Sequence, residues 1–395
     1  MTKKTVRDIN VTGKTVLVRC DFNVPQDKAG QITDDRRIRE ALPTIKYLME
    51  NNARVILTSH LGRPDEKPEK KALYSLKVVA DRLSELLAKP VMFCNDCVGE
   101  AVQAELRNLK EGEVALLENV RYYTEEKKDA LNFGKRLVET TGAEYFVMDA
   151  FGTAHRKDGS TWGVPQVIPG VMGLLVEKEM RIIGGTMAAP AKPFVGILGG
   201  AKIKDKIPVI ENLIGKVDVL LIGGAMSYTF MKAQGGNIGK SMLQADYLEQ
   251  VKAYLANDKT EIILPVDVKT VTEVTAGADI QVVEAGQIPE DREGIDIGPK
   301  TIALFESKIK DAKTVIWNGP MGVFEIADFA EGTNAIAKAV AEADCTSIIG
   351  GGDSGYAVEK AGYAEQVTHI STGGGASLEL FAGKKLPAVE MLQNA

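Results

Sequence analysis

At 395 residues the chain exceeds what one ordinary hydrophobic core supports, so two domains are expected. Hydrophobic residues make up 45% and charged residues 26%, the balance of a soluble globular protein. No run approaches the roughly 18 consecutive apolar residues of a membrane span. The net charge of −6 argues against general nucleic-acid affinity, which needs a basic face.

The start of the chain, Met-Thr-Lys-Lys-Thr-Val-Arg-Asp-Ile, lacks the apolar core of a secretory leader, so a cytoplasmic location is expected. The four cysteines fit that compartment. Cys94 and Cys97 form a C-x-x-C, but no further pair of ligands lies nearby, as a structural zinc site would need. Incidental spacing in a loop explains them better than a redox role.

In chain order, the first half alternates short apolar runs with helical patterns, which suggests a parallel sheet covered by helices. Residues 15–19 read as the first strand and 38–51 as a helix interrupted early by Pro43. Residues 54–58 are the second strand. Ser75 is a fair N-cap for the next helix, in which Leu76, Val79, Ala80, Leu83, Leu86 and Leu87 share one stripe. Residues 91–93 and 114–117 are further strands, 133–141 a helix and 145–148 the last strand of this half.

The strand tips are more informative than the strands. They read Cys20-Asp21-Phe22-Asn23-Val24-Pro25, Ser59-His60-Leu61-Gly62-Arg63-Pro64, Glu118-Asn119-Val120-Arg121 and Asp149-Ala150-Phe151-Gly152-Thr153-Ala154-His155-Arg156. Ligands of parallel sheets bind beyond the carboxyl ends of the strands. Arg36, Arg37 and Arg39 lie between the first strand and its helix. One arginine alone is more often a surface or ion-paired residue. Their repetition at strand ends points to a small anion held by bidentate guanidinium groups.

Residues 170–186 carry glycines at both ends and read as one helix, serving as an interdomain hinge or a rigid linker. The expected domains are therefore 1–170 and 187–375, with 171–186 between them. The tail, 376–395, is helical and then irregular and is expected to return across the hinge.

The second half opens on a strand at 194–198, followed by Gly199 and Gly200 and then by Lys202 and Lys206. Pro208 is tolerated only in a first helical turn, so a helix should begin near Asp205. That would leave Lys202 in the glycine turn and Lys206 in the first turn. A strand, a glycine turn, lysines and a helix N-terminus form a seat for phosphate; the plain alternative is an ordinary turn with solvated lysines. Further strands at 217–222, 261–264, 314–317, 346–349 and 366–370 follow. Most end in glycine: Gly223-Gly224, Asn318-Gly319-Pro320-Met321-Gly322-Val323-Phe324-Glu325, Gly350-Gly351-Gly352-Asp353-Ser354-Gly355 and Thr372-Gly373-Gly374-Gly375. Bare backbone there would let a base and a phosphate chain approach closely. Cationic tips in one half and glycine tips in the other suggest one domain for an anionic substrate and one for a nucleotide.

No G-x-x-x-x-G-K-[ST] occurs, which excludes a Walker-type phosphate loop. Residues 350–355 do match G-x-G-x-x-G, but Asp353 inside the turn would repel a bare pyrophosphate, and the next strand ends without an acidic residue. Asp353 makes sense if a divalent cation links it to nucleotide phosphates; otherwise it caps the following helix. Phosphoryl transfer needs positioning and charge neutralisation, which Arg36, Lys202, a metal on Asp353 and the N–H groups of 373–375 could supply. The three histidines, His60, His155 and His369, do not favour a histidine relay.

These motifs, in this order, resemble the phosphoglycerate kinase family along essentially the whole chain. The resemblance rests on residues 18–25, 59–64, 149–156, 199–202, 318–325, 350–354 and 372–377. It implies an α/β fold of two Rossmann-like domains, each a parallel β-sheet flanked by helices, joined by a hinge helix. It also implies a monomer acting on 3-phosphoglycerate or 1,3-bisphosphoglycerate and ATP or ADP with Mg2+. Carried over residue by residue, Asp21 and Asn23 orient the glycerate, and His60, Arg63, Arg121 and Arg156 bind its phosphate. Arg36, Lys202 and Gly374 act on the phosphoryl group in transit. Lys206 touches the nucleotide phosphates. Gly223, Gly224, Gly294, Pro320 and Val323 border the adenine, with Asn318 and Glu325 on the ribose side. Gly351, Gly352, Asp353 and Ser354 receive phosphates and metal.

One position departs from the family pattern. Asp158 stands where a second histidine is usual after Arg156, with Lys157 beside it as local compensation. Weaker substrate attraction is expected. A dehydrogenase using the glycine fingerprint and a non-catalytic nucleotide binder are the alternatives; binding of NADH against ADP, and turnover, discriminate among them.

Overall fold

Strands β1 (Thr15–Cys20), β2 (Arg54–Thr58), β3 (Val91–Phe93), β4 (Val114–Leu116), β5 (Tyr145–Asp149) and β6 (Gly170–Met172) form one sheet in the order β3-β4-β2-β1-β5-β6. Every pairing is parallel. In the computed structural model, which describes residues 3–64 and 72–395, this sheet belongs to a unit formed by 1–181 and 385–395. Val16, Leu17 and Val18 of the inner strand β1 are buried without interruption, as a sheet covered on both faces requires.

Helix α1 (Arg36–Glu50) runs unbroken through Pro43, where an interruption was expected. Ile38, Ala41, Ile45 and Leu48 are all buried. At about 1.5–3 kcal/mol for each large apolar side chain, their burial outweighs the roughly 3 kcal/mol of a helix-interior proline. Helix α2 (Lys77–Leu87) buries Val79, Ala80 and Leu83 of the expected stripe, with Leu86 and Leu87 at the margin of the same core. Ser75 contributes to its start in an unexpected way. Its hydroxyl accepts the Lys77 N–H at 3.2 Å and donates to Glu118 at 2.6 Å, and Glu118 also takes the Leu76 N–H at 2.8 Å.

The single helix expected over 170–186 is divided. Residues 170–172 are β6, and helix begins only at Leu174, continuing through a π-helical stretch, Met180–Gly184, to Ala188. The cause lies at the end of β5. Asp149 accepts the N–H groups of Leu175 at 2.9 Å and Val176 at 3.4 Å, and Thr44 accepts that of Leu174 at 2.9 Å. The first turn forms where those acceptors are. A Cβ on Gly173 would lie 2.1 Å from the Asp149 carboxylate, so glycine is needed at the approach.

Residues 182–384 form the second unit. Its sheet is parallel too, with Glu261–Ile263 at one edge, then β8 (Val219–Ile222), β7 (Phe194–Leu198), Thr314–Asn318, Thr346–Gly350 and His369–Ile370. Its core holds Trp317, Phe305, Ile336 and Ile349. An antiparallel three-stranded sheet, Asp267–Val271, Gln281–Glu284 and Glu293–Ile297, was not anticipated. Its outer strand Gln281–Glu284 is mostly exposed, so it shows little apolar signal.

The tail returns to the first unit later than expected. Helix Gly374–Phe381 stays with the second unit, where Asn212 donates to the Phe381 carbonyl at 2.6 Å. From 385 onward the chain joins the first: Ala388 N–H donates to Ala154 O at 3.1 Å and Gln393 N–H to Gly170 O at 2.9 Å. Cys94 and Cys97 are buried free thiols, Cys97 donating to the Glu118 carbonyl at 2.9 Å. Burial pushes the Cys94 thiol up to about 12. Among the described residues no helix is long and apolar enough to cross a membrane.

Candidate active site

At the carboxyl ends of β1, β2 and β5 the first unit gathers its cations around one buried histidine. His60, 3% exposed, feels the charges of Arg19, Asp21, Arg121 and Arg156. Burial, then Arg19, holds its imidazole well below the usual range. Burial pushes the Asp21 carboxyl up, but Arg37 above all, with Arg19 and the Asn23 N–H, brings it down to about 2. Arg37 donates to Asp21 at 2.6 Å. Asn23 is tied back: its side-chain carbonyl accepts the Gly62 N–H at 2.7 Å. Arg121 donates to Gly62 O at 2.8 Å, and burial followed by the charges of Arg156 and Arg19 lowers it to about 10. Arg121 and Arg156 bring positive charge to the pocket, with Arg19 engaged behind His60, a setting suited to an anion.

The other expected residues of this half are less enclosed. Arg63 is exposed, and Arg36 is half-buried at the first turn of α1, where Asp34 accepts its backbone N–H at 2.8 Å. Arg39 is paired to Asp35 at 2.7 Å. Asp158 is buried beside Arg121 and Glu126. Lys157 is exposed, with its ammonium 5.7 Å over the Trp162 ring. A larger cavity of about 870 Å³ beside the start of α1, lined by Asp34, Asp35, Ser75 and Arg82, contains none of the expected binding residues.

Sequence reasoning did not name the residues behind this pocket. Arg19 in β1, Ser160 and Glu126 form a buried chain, with Arg19 Nε donating to Ser160 Oγ at 2.7 Å and Ser160 Oγ to Glu126 at 2.5 Å. Burial pushes the Glu126 carboxyl up to about 7. The available signal was Arg19 itself, a cation ending an apolar strand.

In the second unit a cavity of about 420 Å³ collects Lys202, Lys206, Asn318, Pro320, Gly351, Gly352, Asp353, Ser354 and Gly374. Gly200 and Gly319, from the expected glycine tips, also line it, as do Ala201, Asp205 and Leu378, of which no ligand contact was expected. The two lysines differ. Lys202 is exposed after the glycine turn. Lys206 is buried and donates to Asn318 Oδ1, and burial lowers its ammonium to about 8. The α-helix starts at Ile207, slightly later than expected, because a 3-10 turn at Ile203–Asp205 comes first. Asn318 uses both ends of its amide, since Nδ2 donates to Gly350 O at 2.6 Å; it holds Lys206 in place on the cavity floor. Ser354 Oγ accepts the Gly319 N–H at 2.6 Å. Asp353 is exposed in the first turn of the helix Gly352–Lys360 and makes no capping hydrogen bond.

The glycine tips divide into two kinds by what a Cβ would meet. A Cβ on Gly199 would lie 2.2 Å from Pro320 O, on Gly224 2.4 Å from Gly200 N, and on Gly223 2.4 Å from Met321 Sδ. Gly294 has Tyr228 OH at 2.1 Å. Gly199, Gly223 and Gly224 let neighbouring strand tips pack together, and Gly294 lets its strand pack against Tyr228 of the helix Ser227–Ala233. Gly352 has nothing within 4 Å, and Gly374 only backbone near 4 Å. Gly223, Gly224, Gly294, Val323 and Glu325 are outside the lining of this cavity.

Among the described residues no group of three or more His, Cys, Asp or Glu could hold a metal ion. Two exposed carboxylates, Asp205 and Asp353, at the cavity suit Mg2+, which binds through one or two carboxylates, phosphates and water.

A cationic pocket at one parallel sheet and a lysine, aspartate and glycine cavity at another define the class of two-domain α/β phosphotransferases. The phosphoglycerate kinase family profile matches residues 6–384. The phosphoglycerate kinase of Dictyoglomus turgidum is 53% identical over 401 residues, covering the whole of both chains. That of Pelotomaculum thermopropionicum is 49% identical and covers 99% of each. Among solved structures, the Coxiella burnetii phosphoglycerate kinase superimposes with a TM-score of 0.86 at 39% identity, covering 98% of each chain. The chain belongs to the phosphoglycerate kinase family.

Proposed function

We infer that this glycolytic kinase, an ATP:3-phosphoglycerate 1-phosphotransferase, works by stabilising charge on a phosphoryl group that moves between ADP and the carboxyl of 3-phosphoglycerate. The carboxylate acceptor needs no general base, which fits a site whose histidine is kept neutral. His60, Arg63, Arg121 and Arg156 hold the phosphate of the glycerate, while Asp21 and Asn23 orient its carbon chain. Lys206 anchors the nucleotide phosphates and Gly351, Gly352 and Ser354 line their path. Arg36, Lys202 and the backbone of Gly374 face the group in transit. Mg2+ on Asp353, when bound, neutralises nucleotide phosphate charge. Gly223, Gly224, Gly294, Pro320 and Val323 border the base, and Asn318 and Glu325 lie on the ribose side. The protein acts as a cytoplasmic monomer, with domains 1–170 and 187–375 closing about the helix between them.

The supporting observation is the division of chemistry: buried arginines around His60 in one unit and a lysine-aspartate cavity with open glycine backbone in the other. ATP turnover is expected only with both 3-phosphoglycerate and Mg2+. Arg36→Ala should lower turnover far more than it weakens ATP binding. Turnover that ignored either addition, or equal losses in both quantities, would overturn the assignment.

A further inference from the structure

Arg19 lies within β1 with 1% of its surface exposed. Its Nε donates to Ser160 Oγ at 2.7 Å, and its Nη1 to the Cys20 carbonyl and, at 3.4 Å, to Ser59 Oγ. Its Nη2 meets His60 Nδ1 at 3.0 Å. A guanidinium has only donors and keeps its proton in proteins. The nitrogen facing it must therefore offer a lone pair.

We infer that Arg19 locks His60 in the neutral tautomer with its proton on Nε2, so that His60 offers the anion pocket one directed donor and no charge. An imidazolium would point a second N–H at a cationic N–H across that 3.0 Å contact. The charged groups around the ring agree. Arg19, Arg121 and Arg156 oppose a charge on it, and Asp21 alone favours one. Asp21 is already paired with Arg37 at 2.6 Å.

The groups behind Arg19 fix the direction of the chain. Glu126 accepts both the Ser160 N–H at 2.8 Å and the Ser160 hydroxyl proton at 2.5 Å. Ser160 Oγ is then left to accept from Arg19 Nε, and the guanidinium plane cannot swing away from His60 without leaving that acceptor. Arg19 is thus a positioning residue acting through His60. The role of Nε2–H toward substrate rests on the assignment of the anion pocket made above; the tautomer does not.

The test is a long-range proton–nitrogen spectrum of the full chain labelled with 15N-histidine, His60 being assigned with the variant His60→Gln. From about pH 8 down to about pH 5.5, a unit below the ordinary imidazole value of about 6.5, Nδ1 should stay unprotonated and Nε2 protonated. A protonated Nδ1 anywhere in that range overturns the lock. In Arg19→Met the ring should titrate at a higher pH with mixed tautomers. KM for 3-phosphoglycerate should rise about tenfold while kcat stays within about threefold. An unchanged tautomer in Arg19→Met also overturns the lock. If Arg19→Met does not fold, Arg19→Lys is read in its place: it keeps one donor and should keep the Nδ1 lone pair, and mixed tautomers with unchanged KM would count against the lock. A locked ring whose Nε2 signal ignores added 3-phosphoglycerate supports the lock and removes His60 from the substrate site. A mixed tautomer that responds to ligand does the reverse.

Discussion

Lys206 donates its ammonium to Asn318 Oδ1 on the floor of the second unit's cavity, where burial brings it down to about 8. Nucleotide phosphates would add negative charge beside it and raise that value again. ADP binding at about pH 8 should therefore take up roughly half a proton, and almost none below about pH 7. Calorimetry in two buffers of different ionisation enthalpy reads this directly. Lys206→Met should abolish the uptake, and a buffer-independent heat in the unaltered protein would show that phosphate does not reach this lysine.

The two kinds of glycine predict opposite costs. Gly199→Ala would set a methyl 2.2 Å from Pro320 O without any backbone strain of its own. The strand tips must part, costing about 1–3 kcal/mol or more in urea unfolding. Gly352→Ala meets nothing within 4 Å and lies in the first turn of a helix, so stability should hold or rise by up to about 1 kcal/mol. Its methyl projects at the cavity, so nucleotide affinity should fall about tenfold. If Gly199→Ala kept full stability, close packing would not be why that glycine is there.

The glycines also show where the sequence stops being readable. Their positions after strands were legible, and so was the division of the chain into a cationic half and a glycine half. Their roles depend on what lies opposite: Pro320 faces Gly199 across more than a hundred residues of chain, and local pattern carries no trace of it. Arg19 is the same case. Its partners His60 and Ser160 are 41 and 141 positions away, so the strand's last cation looks like a simple boundary. His60, Arg121 and Arg156 could be grouped from the sequence because each lies in the loop that follows a strand. The break between β6 and its helix was hidden because Asp149, which sets it, sits in the preceding strand.

Asp158 puts a buried carboxylate beside Arg121 in the pocket proposed to hold the phosphate of the glycerate. Lys157, engaged over Trp162, is exposed. Asp158→Asn keeps the shape and removes the charge. KM for 3-phosphoglycerate should fall by about two- to tenfold with kcat nearly unchanged, and the gain should shrink as salt rises. Asp158→His, which restores a possible positive charge, should move KM further the same way. The same KM in all three proteins at low salt would mean that this carboxylate does not reach the bound substrate.

Asp149 caps the helix by which the chain leaves the first unit, yet its Oδ2 is buried with no hydrogen-bond partner. Burial pushes its carboxyl up to about 7, against the bonds that Oδ1 accepts from Leu175 and Val176. The folded protein therefore holds this proton up to about pH 7, whereas the unfolded chain releases it near 3.8. Between those values the folded state binds more protons, so stability falls as pH rises through the window and levels off above it. Glu126, raised to about 7 by burial, adds to the same slope. Asp149→Asn keeps an oxygen acceptor for Leu175 and cannot ionise. Its stability relative to the unaltered protein should improve by on the order of 1–3 kcal/mol between about pH 5 and pH 8, measured by urea unfolding. A difference that stayed constant across that range would mean Asp149 is already ionised in the folded protein at pH 5, with Oδ2 satisfied by water.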